Sequence, residues 1–166
     1  MSTVVTSTID TTKVQNRRRL RFNDLDEMMA DVEQLAQGRM RALGNWSPGQ
    51  VFMHLAIVMN KSIDGFEHGP PWIIRVLAPL LFKRSILKNG MSAGFVHKGK
   101  SAEEMVPPAT TTFEEGLDAL RRAVIRQKSA NYRVPSPFLG KLTYDEWIQL
   151  HCRHAELHLS FLVPEA

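Results

Sequence analysis

The residues with the clearest chemical potential are three histidines near the end of the chain. His151, His154 and His158 recur at intervals of three and four residues. In an α-helix, at about 100° per residue, all three share one side with the apolar Trp147. His154 and His158 then lie one turn apart, the spacing that lets two imidazole nitrogens reach a single metal ion. The pattern predicts a metal site on the buried side of this helix.

A further histidine lies on a different predicted helix. His54 follows Val51 by three residues and precedes Val58 by four, so it falls on the side of that helix expected to be buried. We expect His54 to complete a three-histidine set with His154 and His158. Three neutral imidazoles suit zinc, nickel, copper or iron and leave a coordination position open for water or substrate. We expect zinc or nickel, with iron or manganese as alternatives.

The neighbours of these histidines exclude one familiar metalloenzyme motif. In H-E-x-x-H zinc proteases a glutamate follows the first histidine and acts as general base, whereas Ala155 follows His154 here. Helical periodicity instead predicts that Glu156 faces solvent. The same polar side of the helix carries Asp145, Gln149, Arg153 and Ser160. Cys152 lies off the histidine side and is expected to be passive.

The sequence leaves two questions open, the role of His151 and the identity of a general base. His151 is a fourth ligand, a partner that supports a ligand, or a packed histidine, and the last two interpretations are favoured. Candidates for a general base follow only from proximity in the chain or on the helix: Asp64, Glu67, His68, His97 and His151. The histidines therefore fit a metal-dependent enzyme, a non-catalytic metal or small-ligand binding module, or a structural helix bundle with packed histidines.

Four long helices are predicted to position these residues, each with its own start signal. The first begins at Asn23 and ends near Gly38. The others begin with capping boxes at Ser47, Thr112 and Thr143, and are expected to end near Ile63, Ser129 and Val163. No strand pattern longer than a few residues competes, so we predict an all-α fold, an antiparallel four-helix bundle.

The second and third of these helices are separated by a long connection rich in glycine and proline. Residues 64–108 contain one short apolar segment that we predict to be helical, from Trp72 to Leu87. The connection is too long for a plain link in a compact bundle. We expect it to pack over one end of the bundle or to form a lid.

The composition predicts one domain. The chain has 166 residues, of which 43% are hydrophobic, and a single cysteine that cannot form an internal disulfide. We predict a flexible tail over residues 1–20 and a helical domain over residues 21–166. No signal peptide and no membrane-spanning stretch is recognised, so we expect a cytoplasmic protein without a membrane partner. The cluster of arginines at positions 17, 18, 19 and 21 lacks interleaved aromatic residues and predicts a solvated tail, with no nucleic-acid partner.

At the histidines and the second helix start the sequence resembles the DinB-like superfamily of metal-binding four-helix bundles. The likeness is closest to a branch of uncharacterised bacterial proteins. Two stretches carry it, a Trp-Ser-x-Gly-Gln helix start within residues 44–56 and a histidine-rich Leu-Ser-Phe-Leu helix end within residues 140–162. The resemblance covers nearly all the chain after residue 20.

This resemblance implies a function as well as a fold. The superfamily's metal triad falls on His54, His154 and His158, and its helices run up-down-down-up with a long crossover between helices two and three. It also implies frequent homodimers. Some relatives are thiol-dependent transferases that use bacillithiol, mycothiol or glutathione, and others are hydrolases or isomerases. A small molecule or a thiol is therefore the expected substrate.

Overall fold

The computed structural model of the chain is predominantly helical, with one small sheet. It describes residues 8–94, 100–132 and 134–165. A 3-10 turn at Thr11–Lys13 precedes eight elements. In chain order these are α1 (Leu25–Ala36), β1 (Met40–Ala42), α2 (Pro48–Asp64), α3 (Trp72–Asn89), α4 (Lys100–Glu103), α5 (Phe113–Lys128), α6 (Tyr144–Leu159) and β2 (Leu162–Pro164). None of the described helices is long and apolar enough to cross a membrane.

The helix starts follow the predicted capping signals closely. Ser47, Thr112 and Thr143 each accept a hydrogen bond from the third helical N–H, and the side chain at that third position accepts one from the backbone N–H of the cap residue. At α1 the cap is Asp24 rather than Asn23, whose side chain and backbone N–H bond to Glu27 instead. Three of the four predicted starts are therefore confirmed to the residue.

The directions of the long helices follow from pairs of side chains. Gly49 and Gly116, near the starts of α2 and α5, lie against each other, and Asp64 and Arg126 pair near the ends of both helices, so α2 and α5 run parallel. α1 and α5 run antiparallel, because Asp26 pairs with Lys128 and Glu33 with Arg121. α2 and α6 also run antiparallel, because His54 contacts His154 and Ser62 contacts His151.

Two glycines permit direct backbone contact between α2 and α5. A Cβ atom added to Gly116 would lie 2.1 Å from the carbonyl oxygen of Gly49, and one added to Gly49 would lie 2.3 Å from that of Thr112. Any side chain at either position would overlap with backbone. The first turns of α2 and α5 are therefore in direct backbone contact, which fixes the height of His54 relative to the neighbouring helix.

The end of α6 differs from the prediction. The helix was expected to continue to about Val163, but it ends at Leu159, and residues 162–164 form β2. That strand pairs antiparallel with β1, with Arg41 opposite Val163. The all-α prediction is therefore wrong at this point, because a partner strand 120 residues away satisfies the backbone groups that a longer helix would have satisfied itself.

The side of α6 that was expected to face water is partly covered. Asp145 and Gln149 are exposed as predicted, but Arg153 and Ser160 are buried. Arg153 donates to the carbonyl oxygen of Phe22 and pairs with Glu156 at 3.1 Å. The prediction is wrong for these positions because the chain before α1 packs along this side, where Phe22 accepts from Arg153 and Arg17 donates to Ser160.

Two arginines of the predicted tail are part of that covering segment. Arg17 donates to the Ser160 hydroxyl at 2.8 Å, and its guanidinium lies 4.1 Å from the centre of the Phe161 ring. Arg18 donates to the carbonyl oxygen of Leu162 at 2.7 Å and forms a paired salt bridge with Asp31. The expectation of a solvated cluster is therefore wrong for Arg17 and Arg18, which bind the end of α6.

Candidate metal centre

The three predicted ligands come together between α2 and α6. The Nε2 atoms of His54 and His154 are 3.2 Å apart. The ring centre of His158 lies 4.5 Å from that of His54 and 4.6 Å from that of His154. One nitrogen from each ring can be chosen so that all three lie within 4.8 Å of one another. Because zinc–nitrogen bonds of about 2.0 Å place two tetrahedral ligands about 3.3 Å apart, this group could hold a metal ion.

Local helix geometry explains how this group forms. His154 and His158 stand one turn apart on α6, and their rings meet nearly at right angles. His54 lies in the middle of α2, which runs antiparallel to α6 and faces the same space. His54 is 7% exposed, whereas His154 and His158 are half-buried. Two helices therefore supply the ligands, and the site keeps a side towards solvent.

A backbone carbonyl fixes the orientation of His54. Its Nδ1 atom lies 2.8 Å from the carbonyl oxygen of Met105. A carbonyl oxygen can only accept, so Nδ1 carries the proton, and in the neutral ring the lone pair is on Nε2, which points to His154. Metal-binding histidines are commonly held in this way by a hydrogen bond to the other ring nitrogen. This contact prepares Nε2 as a ligand.

The carbonyl belongs to a segment that is itself anchored to α2. The neighbouring Glu104 accepts a hydrogen bond at 2.9 Å from Lys61 and others from the backbone N–H groups of Glu67 and His68. Burial raises the pKa of this carboxyl, but the bonds from Lys61, Glu67 and His68 outweigh it, and its pKa lies below the ordinary value. An ionised glutamate thus ties the Met105 segment to α2.

Trp46 forms one wall of the centre. Its ring stacks on His158 with 5.8 Å between ring centres and tilts over His54 at 4.7 Å. Burial, followed by the nearby His54 and the positive charge of Arg17, holds the pKa of His158 well below its usual range. A neutral imidazole is the form that binds metal, so these surroundings favour a ligand role at neutral pH.

Two further candidate residues, His151 and Cys152, lie outside the group of three histidines. His151 is buried and its Nε2 is 3.1 Å from the Ser62 hydroxyl, so it packs against α2 rather than joining the three histidines. Burial lowers the pKa of His151 to about 3. Cys152 is fully buried, and burial raises the pKa of its thiol to about 12, which agrees with a passive role.

Of the candidate bases that the structure describes, Asp64 and His151 lie in contacts away from the ligand group. Asp64 is paired with Arg126 at the end of α2, ten residues from His54. Glu67 and His68 lie with Glu104 in a second cluster whose ligand atoms are also within 4.8 Å of one another. His97 lies outside the described residues. The structure therefore brings the predicted metal ligands together and places the candidate base Asp64 away from them.

Two contributors to the centre were absent from the sequence prediction as functional groups. Trp46 stands directly before the capping box of α2. The sequence signal for it is its place in the Trp-Ser-x-Gly-Gln helix start. The Met105 carbonyl has no signal, because every residue carries one. Only the fold shows which carbonyl meets His54.

Comparison with known proteins places the chain in a family. No curated protein and no solved structure matches it. The family model described as "Protein of unknown function (DUF1569)" matches residues 14–165, which include the ligands, Trp46 and the Met105 segment. The chain belongs to this family.

Proposed function

We propose that the protein is a metal-dependent enzyme in which His54, His154 and His158 hold one divalent ion, zinc or nickel. The observation that carries this proposal is the 3.2 Å separation of the His54 and His154 Nε2 atoms, with His54 held in the ligand tautomer by Met105. A bound ion of this kind polarises a substrate carbonyl or lowers the pKa of a thiol or water.

The number of ligands supports a reactive centre rather than a closed structural one. Structural zinc sites have four protein ligands, whereas catalytic sites have three and leave a position for substrate. Among the described residues, the group around His54 contains three. A small molecule or thiol entering beside Trp46 is the substrate that we propose, in a transferase or hydrolase reaction.

The helix directions support the wider relationship. We infer that α1, α2, α5 and α6 form an antiparallel four-helix bundle in up-down-down-up order and that the family belongs to the DinB-like superfamily. The parallel run of α2 and α5 and the antiparallel contacts of α1 with α5 and of α2 with α6 are what this order requires. Under this proposal the superfamily's metal triad corresponds to His54, His154 and His158.

Substitution with cobalt tests for an open centre. Protein loaded with Co²⁺ should show visible absorption bands that change when 2-mercaptoethanol is added, because the thiol enters the open position. His54→Ala should abolish these bands, and His68→Ala, which alters the second cluster only, should keep them. Bands that do not respond to thiol or azide would contradict a reactive centre.

Two observations favour a second function, a non-catalytic metal-binding module. The candidate base Asp64 is paired with Arg126 away from the ligands, and His151 is engaged by Ser62. A structural ion contributes directly to folding, so its removal by a chelator should lower the melting temperature strongly. A small change in melting temperature, together with thiol-sensitive cobalt bands, favours the enzyme instead.

A further inference from the structure

The α3 helix exposes an unusual amount of apolar surface. Trp72 is 73% exposed, Leu80 79% and Leu81 66%. At about 100° per residue these three side chains point in three different directions, so the exposure surrounds the helix instead of forming one stripe. Five further large apolar side chains of α3 are exposed, namely Ile73, Ile74, Val76, Leu77 and Phe82. We call these eight residues the α3 apolar surface.

The way α3 packs explains this exposure. Contact with the rest of the protein is concentrated in the second half of the helix, where Leu87 is buried and Lys83 pairs with Glu146 of α6 at 2.9 Å. Pro79 lies against Gly140. The first two turns, residues 72–77, are exposed at every position. Helices that are apolar on all sides are normally enclosed by protein or lipid, and the residues that the structure describes do not enclose this part of α3.

The chain segment that carries this surface has charged residues of one sign. Residues 69–102 contain six lysines and arginines and no aspartate or glutamate. The whole chain has 21 basic and 17 acidic residues, so the rest of it has 15 basic and 17 acidic residues. All of the net positive charge therefore resides in the segment that carries α3. Arg75, Arg84 and Lys88 of this segment are exposed.

We propose that α3 binds the surface of an anionic lipid membrane. Aromatic and aliphatic side chains with flanking lysine and arginine are the composition that inserts at the boundary between headgroups and acyl chains. Lipid can surround the apolar first turns on several sides, and anionic headgroups complement the basic residues. A second copy of the chain is disfavoured as the occupant, because pairing through α3 would bring two such basic segments together.

Binding at the interface does not require a membrane span. α3 has 18 residues, includes four basic side chains and contains Pro79, so it lies in the surface layer with its apolar residues buried. The long stems of Lys83, Arg84 and Lys88 allow their charges to stay among the headgroups. This proposal departs from the expectation of no membrane partner, which rested on the absence of a stretch long enough to span a bilayer.

Vesicle co-flotation of the full chain tests the proposal. Vesicles of phosphatidylcholine with 30% phosphatidylserine should carry the protein, and pure phosphatidylcholine vesicles should bind it at least tenfold less. Replacing both Leu80 and Leu81 with serine should weaken binding more than about tenfold, since two exposed leucines lose their burial in lipid. Arg75→Gln with Arg84→Gln should weaken it about 25-fold, at about fivefold for each charge.

A matched control separates membrane binding from general hydrophobicity. Ile125 on α5 is 67% exposed but lies outside the basic segment, so Ile125→Ser should bind vesicles like the unaltered protein. Failure of the folded protein to float with anionic vesicles would overturn the proposal. Two results together would assign the surface to a second copy instead. Light scattering would show a dimer that the Leu80→Ser and Leu81→Ser changes convert to a monomer, and the unaltered protein would bind no vesicles.

Discussion

The Nε2 atoms of His54 and His154 lie 3.2 Å apart, although the two residues are 100 positions apart in the chain. That separation is close to the one expected for two ligands of a single tetrahedral ion. It is set by the packing of α2 against α6, which also brings Ser62 to His151. The spacing of the proposed ligands is therefore a property of the folded helices, which leaves little reorganisation for metal binding.

Glu104 should influence metal affinity without being a ligand of this centre. Glu104→Ala removes the anchor between α2 and the segment whose Met105 carbonyl orients His54. We expect zinc affinity to fall about tenfold or more, the usual result of losing support for a ligand. Competition with a chromogenic chelator measures the change. Glu103→Ala, an exposed neighbour, is the control, and equal affinity in both variants would show that the anchor does not act on His54.

His151 should make stability depend on pH in the acidic range. Its pKa is about 3 in the folded protein because of burial and about 6.5 when unfolded. Between these values the unfolded chain takes up a proton that the folded chain does not. Titration of His151 therefore does not change the free energy of unfolding above about pH 6.5. Below that pH it makes the free energy of unfolding fall as the pH decreases towards 3, by up to about 1.4 kcal/mol per pH unit.

Replacement of the imidazole tests this dependence. His151→Gln keeps a polar group near Ser62 but cannot titrate. Urea unfolding of metal-free protein at several pH values between 4 and 7 should give a shallower decrease in unfolding free energy for the variant than for the unaltered chain. The same slope in both proteins would mean that His151 does not remain neutral when buried.

Gly116 should tolerate no side chain. Alanine there places a methyl group 2.1 Å from the Gly49 carbonyl oxygen, so α2 and α5 must separate. The expected loss of unfolding free energy is about 2 to 4 kcal/mol, despite the better helix propensity of alanine. Gly38→Ala is the control, since nothing lies within 4 Å of an added Cβ atom there. Urea denaturation of both variants measures the difference, and similar stabilities would contradict the backbone contact.

The features that the sequence predicts well are local. Ser47 and Thr143 start their helices where their capping boxes indicate, because the relevant hydrogen bonds span only three residues. The same applies to His154 and His158, which are one turn apart in any helix. The meeting of these two with His54 was inferred from which sides of the helices were apolar, and the structure brings the three together.

The features that the sequence misses depend on distant partners. Arg153 was expected in solvent, yet its guanidinium donates a hydrogen bond to the carbonyl oxygen of Phe22. Val163 was expected in a helix, yet it pairs with Arg41 in the sheet. Neither partner can be inferred from periodicity, which reports the apolar side of a helix and not what covers its polar side. The Met105 carbonyl that orients His54 belongs to the same class.

The central claim is that His54, His154 and His158 bind one metal ion, and elemental analysis tests it most directly. Protein purified without a histidine tag, incubated with zinc or nickel and freed of excess metal should retain one ion per chain. The variant with alanine at all three positions should retain none. A chain that retains no metal, or a triple variant that retains as much as the unaltered protein, would contradict the account.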